Sequence, residues 1–157
     1  MYKQENAENI DAATAAYGAF VLRIALGTMF IAHALLKIMV FTPAGTVQFF
    51  QSIGLPGPLA YVVIVAELLG GAAILIGLHG RWVAAALVPI LIGSIYPHAA
   101  NGWIFNAPGG GWEYSAFLTA AAIALGWVYW KRPPVPPVLV SVASTPLPVA
   151  APLPVPL

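Results

Sequence analysis

Residues 58–100 read PLAYVVIVAELLGGAAILIGLHGRWVAAALVPILIGSIYPHAA, and this stretch decides the fold. Two apolar runs, 58–78 and 82–100, flank the short link His79-Gly80-Arg81. Glu67 and Arg81 carry the only formal charges in the stretch. An α-helix rises 1.5 Å per residue, so about 20 residues cross the ~30 Å hydrocarbon core of a bilayer. Each run has that length. A three-residue link makes the two helices antiparallel neighbours. Period-2 alternation in segments of about ten residues, the mark of a membrane barrel, is missing. Backbone groups in lipid must bond within their own segment, which again predicts helices.

Two further runs of the same kind lie outside this pair. The first spans 17–41 and stops at Thr42-Pro43, and the last spans 112–130 and stops at Lys131-Arg132-Pro133. Leu55-Pro56-Gly57-Pro58 and Pro108-Gly109-Gly110-Gly111 are turn chemistry between them. The whole chain agrees with this reading. Of 157 residues, 61% are hydrophobic and 7% charged, whereas a soluble domain is about 25% charged. The expected fold is therefore all-α: a four-transmembrane-helix bundle over 17–130, a short polar N-terminal arm over 1–16 and an extended Pro-rich C-terminal tail over 131–157. Aromatic residues Trp103, Trp112, Tyr114, Trp127, Tyr129 and Trp130 fall near the ends of the spans, where interfacial belts form. Ala66/Gly70, Ala73/Gly77 and Ala122/Gly126 are small-residue pairs at the spacing that lets helices approach closely, or plain apolar composition.

Several function classes drop out. A net charge of +1 gives no basic field for nucleic acid. The chain contains no cysteine, which excludes disulfides, iron–sulfur clusters, Cys-ligated zinc and thiol catalysis. The single aspartate of the first 130 residues, Asp11, sits in the arm, so a Ser-His-Asp arrangement is not credible. Gly109-Gly110-Gly111 lacks the strand before and lysine after that a phosphate loop needs. The acidic arm is a poor secretory signal.

Lysines and arginines set the expected direction. Four spans put Lys3, Arg81, Lys131 and Arg132 on one side, with Arg23 about 9 Å inside that boundary at 1.5 Å per residue. The loops at 42–57 and 101–111 carry neither residue type. Both termini are then cytoplasmic and those loops exterior. On this topology His33, Lys37, His98 and Glu113 all fall in the outer half of the membrane, with Glu67 deeper. His33 and Lys37 share a helix face by their i, i+4 spacing. A charge at mid-membrane costs several kcal/mol, so Glu67 is expected either uncharged or paired with Lys37 or Arg23. Three readings of this group stay open: an ion-pair cluster fixing helix register, a pocket for a quinone head group or proton transfer, and independent interfacial residues. His33 and His98 also stand on different helices at similar depth, the minimum for a b-type haem, but nothing else in the chain supports that. No metal site is expected.

The order of these residues resembles the DoxX family. Leu22-Arg23, Leu26-Gly27, Phe30, His33 and Lys37 match the pattern of its first helix, with Ala34 in place of the usual glycine after the histidine. Glu67 with Gly70-Gly71, Leu75 and Gly77 resembles its second-helix signature, and Arg81, His98 and Gly110-Gly111-Trp112-Glu113-Tyr114 follow in order. The resemblance covers 17–130. It implies a four-helix protein of the bacterial or archaeal cytoplasmic membrane, associated with quinone-linked redox systems such as thiosulfate:quinone oxidoreductase. It marks Arg23, His33, Lys37, Glu67, His98 and Glu113 as family-type polar positions.

The tail departs from that pattern. Residues 131–157 hold nine of the fifteen prolines and no charge after Arg132, which favours polyproline II over helix. The tail is either a linker or a strap lying along other membrane subunits through 133–157. The expected function is thus an integral membrane accessory subunit of a larger redox or photosynthetic electron-transfer complex, contributing packing, assembly and quinone or lipid contact. The alternative is a catalytic subunit of a quinone-dependent oxidoreductase working through the outer polar group. A transporter is disfavoured, because four helices without internal repeats leave little room for alternating access.

Overall fold

The structure, a computed structural model, describes residues 12–130. The arm 1–11 and the Pro-rich tail 131–157, with the strap expected there, lie outside the described residues. Five α-helices follow in order: α1 (Ala12–Leu35), α2 (Pro43–Ser52), α3 (Leu59–Ile76), α4 (Gly80–Ile95) and α5 (Glu113–Trp130). A π-helical turn, Leu36–Val40, continues α1, and a 3-10 turn, Tyr96–Asn101, continues α4. No strand occurs among the described residues.

Three of these stretches are long and apolar enough to cross a membrane: Ala15–Val40, Leu59–Ile76 and Gly80–Asn101. Helix α5 equals α3 in length at 18 residues but opens on Glu113 and carries Trp127, Tyr129 and Trp130 near its end, which lowers its apolarity. Helix α1 packs chiefly on α3 and α4 chiefly on α5, while α3–α4 and α1–α5 contacts close the ring. The core runs through all four, with Leu26 and Phe30 from α1, Ile74 from α3, Leu87 and Leu91 from α4, and Leu118 and Leu125 from α5.

Burial of oil alone does not hold such helices together in lipid, because tails and side chains are equally apolar; close packing does. The tightest crossing is between α1 and α3. A β-carbon on Gly71 would lie 2.9 Å from the Gly27 carbonyl oxygen, and one on Gly27 would lie 2.6 Å from Leu75 Cγ. Of the small residues singled out above, Gly70 faces Leu87 of α4, while Gly77 ends α3 at φ 77° with Leu78 N–H donating to Ala73 C=O at 2.8 Å. Gly77 therefore terminates the helix, the common role of glycine at a left-handed C-terminal position.

The segment 42–57, expected as a loop, contains helix α2. Thr42 Oγ1 accepts from Gly45 N–H at 3.1 Å and Pro43 follows at the first helical position, a standard helix start. Gly54 at φ 81° ends it, with Leu55 N–H donating to Phe50 C=O at 2.8 Å. The first long helix also begins at Ala12, before the expected start at Tyr17.

Candidate functional site

Lys37 sits within the π turn, where Phe41 N–H reaches back five residues to Leu36 C=O at 2.9 Å. Such turns re-aim side chains and recur at functional positions. From there Lys37 Nζ donates to both carboxylate oxygens of Glu67 on α3, at 3.0 Å and 2.7 Å. Glu67 is 6% exposed, so its charge is buried between helices with its counter-ion in place. Lys37 Nζ also lies 3.5 Å from the His33 carbonyl oxygen. Thr46 of α2 donates to the Thr42 and Lys37 carbonyl oxygens at 2.9 Å and 3.4 Å, tying the short helix to the turn.

His33 stands one turn before Lys37. Its Nδ1 donates to Met29 C=O at 3.0 Å, which holds a proton on that nitrogen. The imidazole stacks on the Tyr114 ring of α5, with centroids 6.2 Å apart and planes 23° from parallel. Thus α1, α3 and α5 are joined through Glu67, Lys37, His33 and Tyr114.

The other expected site residues form a second group. His98 Nδ1 donates to the Gly109 and Gly110 carbonyl oxygens at 3.1 Å and 3.2 Å, and Asn101 Nδ2 donates to the same two at 2.9 Å each. Glu113 Oε1 accepts from Phe105 N–H at 2.9 Å. Gly102 and Trp103 carbonyls accept from Trp112 and Glu113 N–H groups at 3.2 Å and 3.0 Å, so the 102–112 loop is closed on itself. The expected gathering of five residues is therefore two neighbouring sets, one pairing charges across helices and one bracing a loop. Against this loop and α5 opens a groove of about 530 Å³ lined by Trp103, Phe105, Glu113, Tyr114 and Phe117.

Of the two cations considered for Glu67, Lys37 holds it. Arg23 lies near the middle of α1, about four turns before Lys37, its guanidinium so close to Gly77 that a β-carbon there would sit 2.7 Å from Nη1. A cation against the C-terminal end of α3 meets the negative pole of that helix. Its Nε is buried without a hydrogen-bond partner among the described residues, and its carbon Cζ stands 5.3 Å from the Phe20 ring centre. Arg81 is exposed and stacks over Trp82 and Trp130 at 5.1 Å and 5.7 Å. Among the described residues, no three His, Asp or Glu side chains stand close enough to hold a metal ion. Two contributors escaped the sequence reading. Tyr114 was noted as an interfacial aromatic and as the end of the family-like run from Gly110, not as a partner of His33, and Thr46 carried no signal beyond its distance of four from Thr42.

No solved structure matches this chain. The chain is 42% identical over 109 residues to a Bacillus subtilis (strain 168) protein named "Putative oxidoreductase CatD", a match covering 69% of this chain and 78% of the relative. The DoxX family pattern matches residues 18–100, which hold Arg23, His33, Lys37, Glu67 and His98. With that pattern spanning more than half the sequence, on helices apolar enough to cross a bilayer, the chain belongs to the DoxX family of multi-pass membrane proteins.

Proposed function

We propose that this chain is a four-span accessory subunit of a membrane redox complex, holding helices and a lipid or quinone surface for partners that carry the electrons. The observation that carries it is the closed Lys37–Glu67 pair. Both carboxylate oxygens are taken by one ammonium at 2.7 Å and 3.0 Å, so the buried Glu67 carboxylate ties α3 to the end of α1. The polar side chains of the outer loop are likewise spent on backbone groups. Helix α5 serves as the fourth span in this reading, since it completes the ring and carries aromatic residues at both ends. The name of the Bacillus relative supports a redox setting. Both termini face the cytoplasm of a bacterial or archaeal inner membrane by the lysine and arginine distribution.

The test is native purification with identification of what co-migrates, repeated after deletion of 133–157. Stoichiometric co-migration with a larger redox complex, weakened by the deletion and with electron transfer unchanged in His33→Ala, supports the accessory role. Quinone reduction by the isolated chain, abolished by His33→Ala, overturns it. That second reading, a catalytic subunit, is favoured by one contact: His33 stacks on the Tyr114 ring that lines the groove, which sets an imidazole beside it.

A further inference from the structure

Glu113 is a carboxylate that no lysine or arginine pairs with among the described residues, and it stands in an aromatic groove. We propose that this groove binds the ammonium head group of a zwitterionic membrane lipid, phosphatidylethanolamine, with an acyl chain laid along α5. Aromatic faces beside a carboxylate are complementary to an organic ammonium, through the negative face of each ring and the opposite charge.

Three parts of the groove are held by contacts of their own before any ligand arrives. Trp103 is fixed edge-on to Trp112, with ring centres 4.5 Å apart. Tyr114 is fixed by its stack on His33. The backbone of Phe105 is fixed by the Glu113 carboxylate itself, which uses Oε1 for that bond at 2.9 Å. Preorganised walls lower the ordering cost of binding. The groove continues down α5 past Ala116, Phe117 and Ala120, which share one helix face and offer apolar surface for a chain. A volume of about 530 Å³ suits a head group and the first methylenes rather than a whole lipid. The outer loops contain no lysine or arginine that would compete for the carboxylate or draw an anionic head group.

The location at a bilayer surface rests on the reading of α5 as a span; the binding itself is measured independently of it. The full-length chain is titrated in detergent with phosphatidylethanolamine or phosphatidylglycerol of identical acyl chains, and bound lipid is counted by native mass spectrometry. The expected result is a phosphatidylethanolamine preference, which falls about tenfold in Glu113→Gln, a loss of the order of one desolvated cation–π and charge contact. Glutamine keeps the oxygen that accepts from Phe105 N–H, so the loop stays closed and only the charge is lost. Phe117→Ala, at an exposed position, weakens binding of the same lipid without touching the loop. Equal binding of the two lipids by the parent chain, or an unchanged preference in Glu113→Gln at unchanged melting temperature, overturns the proposal. Should engineered-cysteine labelling place Gly109 on the cytoplasmic face while the preference persists, the span reading fails and the lipid site stands.

Discussion

Replacing Lys37 with methionine leaves the Glu67 carboxylate buried with no counter-ion, and the consequence can be worked from the geometry. At 2.7 Å and an effective dielectric of about 20, the gross attraction of the pair is about 6 kcal/mol. Desolvation of both groups cancels most of this, so the intact pair adds little net stability. Removing one partner is different, because the penalty for the remaining charge is then uncompensated, at about 3–5 kcal/mol for a buried pair. The Lys37 side chain is 18% exposed against 8% for Glu67, which puts the expected loss at the lower end, about 3 kcal/mol. For a chain of this size that is roughly 6–12 °C in melting temperature. Glu67→Leu strands the ammonium instead and costs about the same, whereas the double variant Lys37→Met/Glu67→Leu returns to within about 1 kcal/mol of the parent or exceeds it. The assay is a double-mutant cycle on thermal unfolding of the full chain in detergent, repeated in lipid. Single losses that simply add in the double variant, with a coupling below about 0.5 kcal/mol, would refute the idea that this pair locks α1 to α3.

Other outcomes follow from the same packing. Gly71→Ala places a β-carbon 2.9 Å from the Gly27 carbonyl oxygen and is expected to lose about 1–3 kcal/mol, measured by the same melts. Gly93→Ala, with nothing within 4 Å of the new carbon, is neutral or gains up to about 1 kcal/mol from helix propensity. Gly77→Ala strains a residue at φ 77° and crowds Arg23, with an expected cost of about 1–2 kcal/mol and a lower melting temperature. Because the chain lacks cysteine, single engineered thiols report topology cleanly. Ser52→Cys and Leu78→Cys flank α3 and are expected to react with an impermeant maleimide from opposite sides; reaction of both from one side removes α3 as a span.

Much of the backbone was legible because its determinants are local. Span length, the His79-Gly80-Arg81 link and the antiparallel α3–α4 contact follow from apolar run length and turn residues, whereas Gly77, read as a packing residue, ends α3 instead. Helix α2 was missed for a physical reason. Pro43 after an apolar run reads as a stop, yet Thr42 before it and Gly54 after it cap a ten-residue helix of mixed polarity too short to announce itself by periodicity. The tight α1–α3 crossing was half visible, since Gly27 and Gly70-Gly71 were noted, but neither marks which glycine meets which.

By itself the sequence determined the solvent of this protein: long uncharged runs cannot be carried by water, and a handful of ionisable residues must cluster or pair. It did not determine which residues meet. Helices that are apolar all round carry no stripe that says which face turns inward, so their rotation is not written in their periodicity. Packing of Gly27 against Gly71 and the π turn at Lys37 set that rotation. Only then does the ammonium reach a carboxylate thirty positions away, while His98 and Glu113 turn to the 102–112 loop before α5.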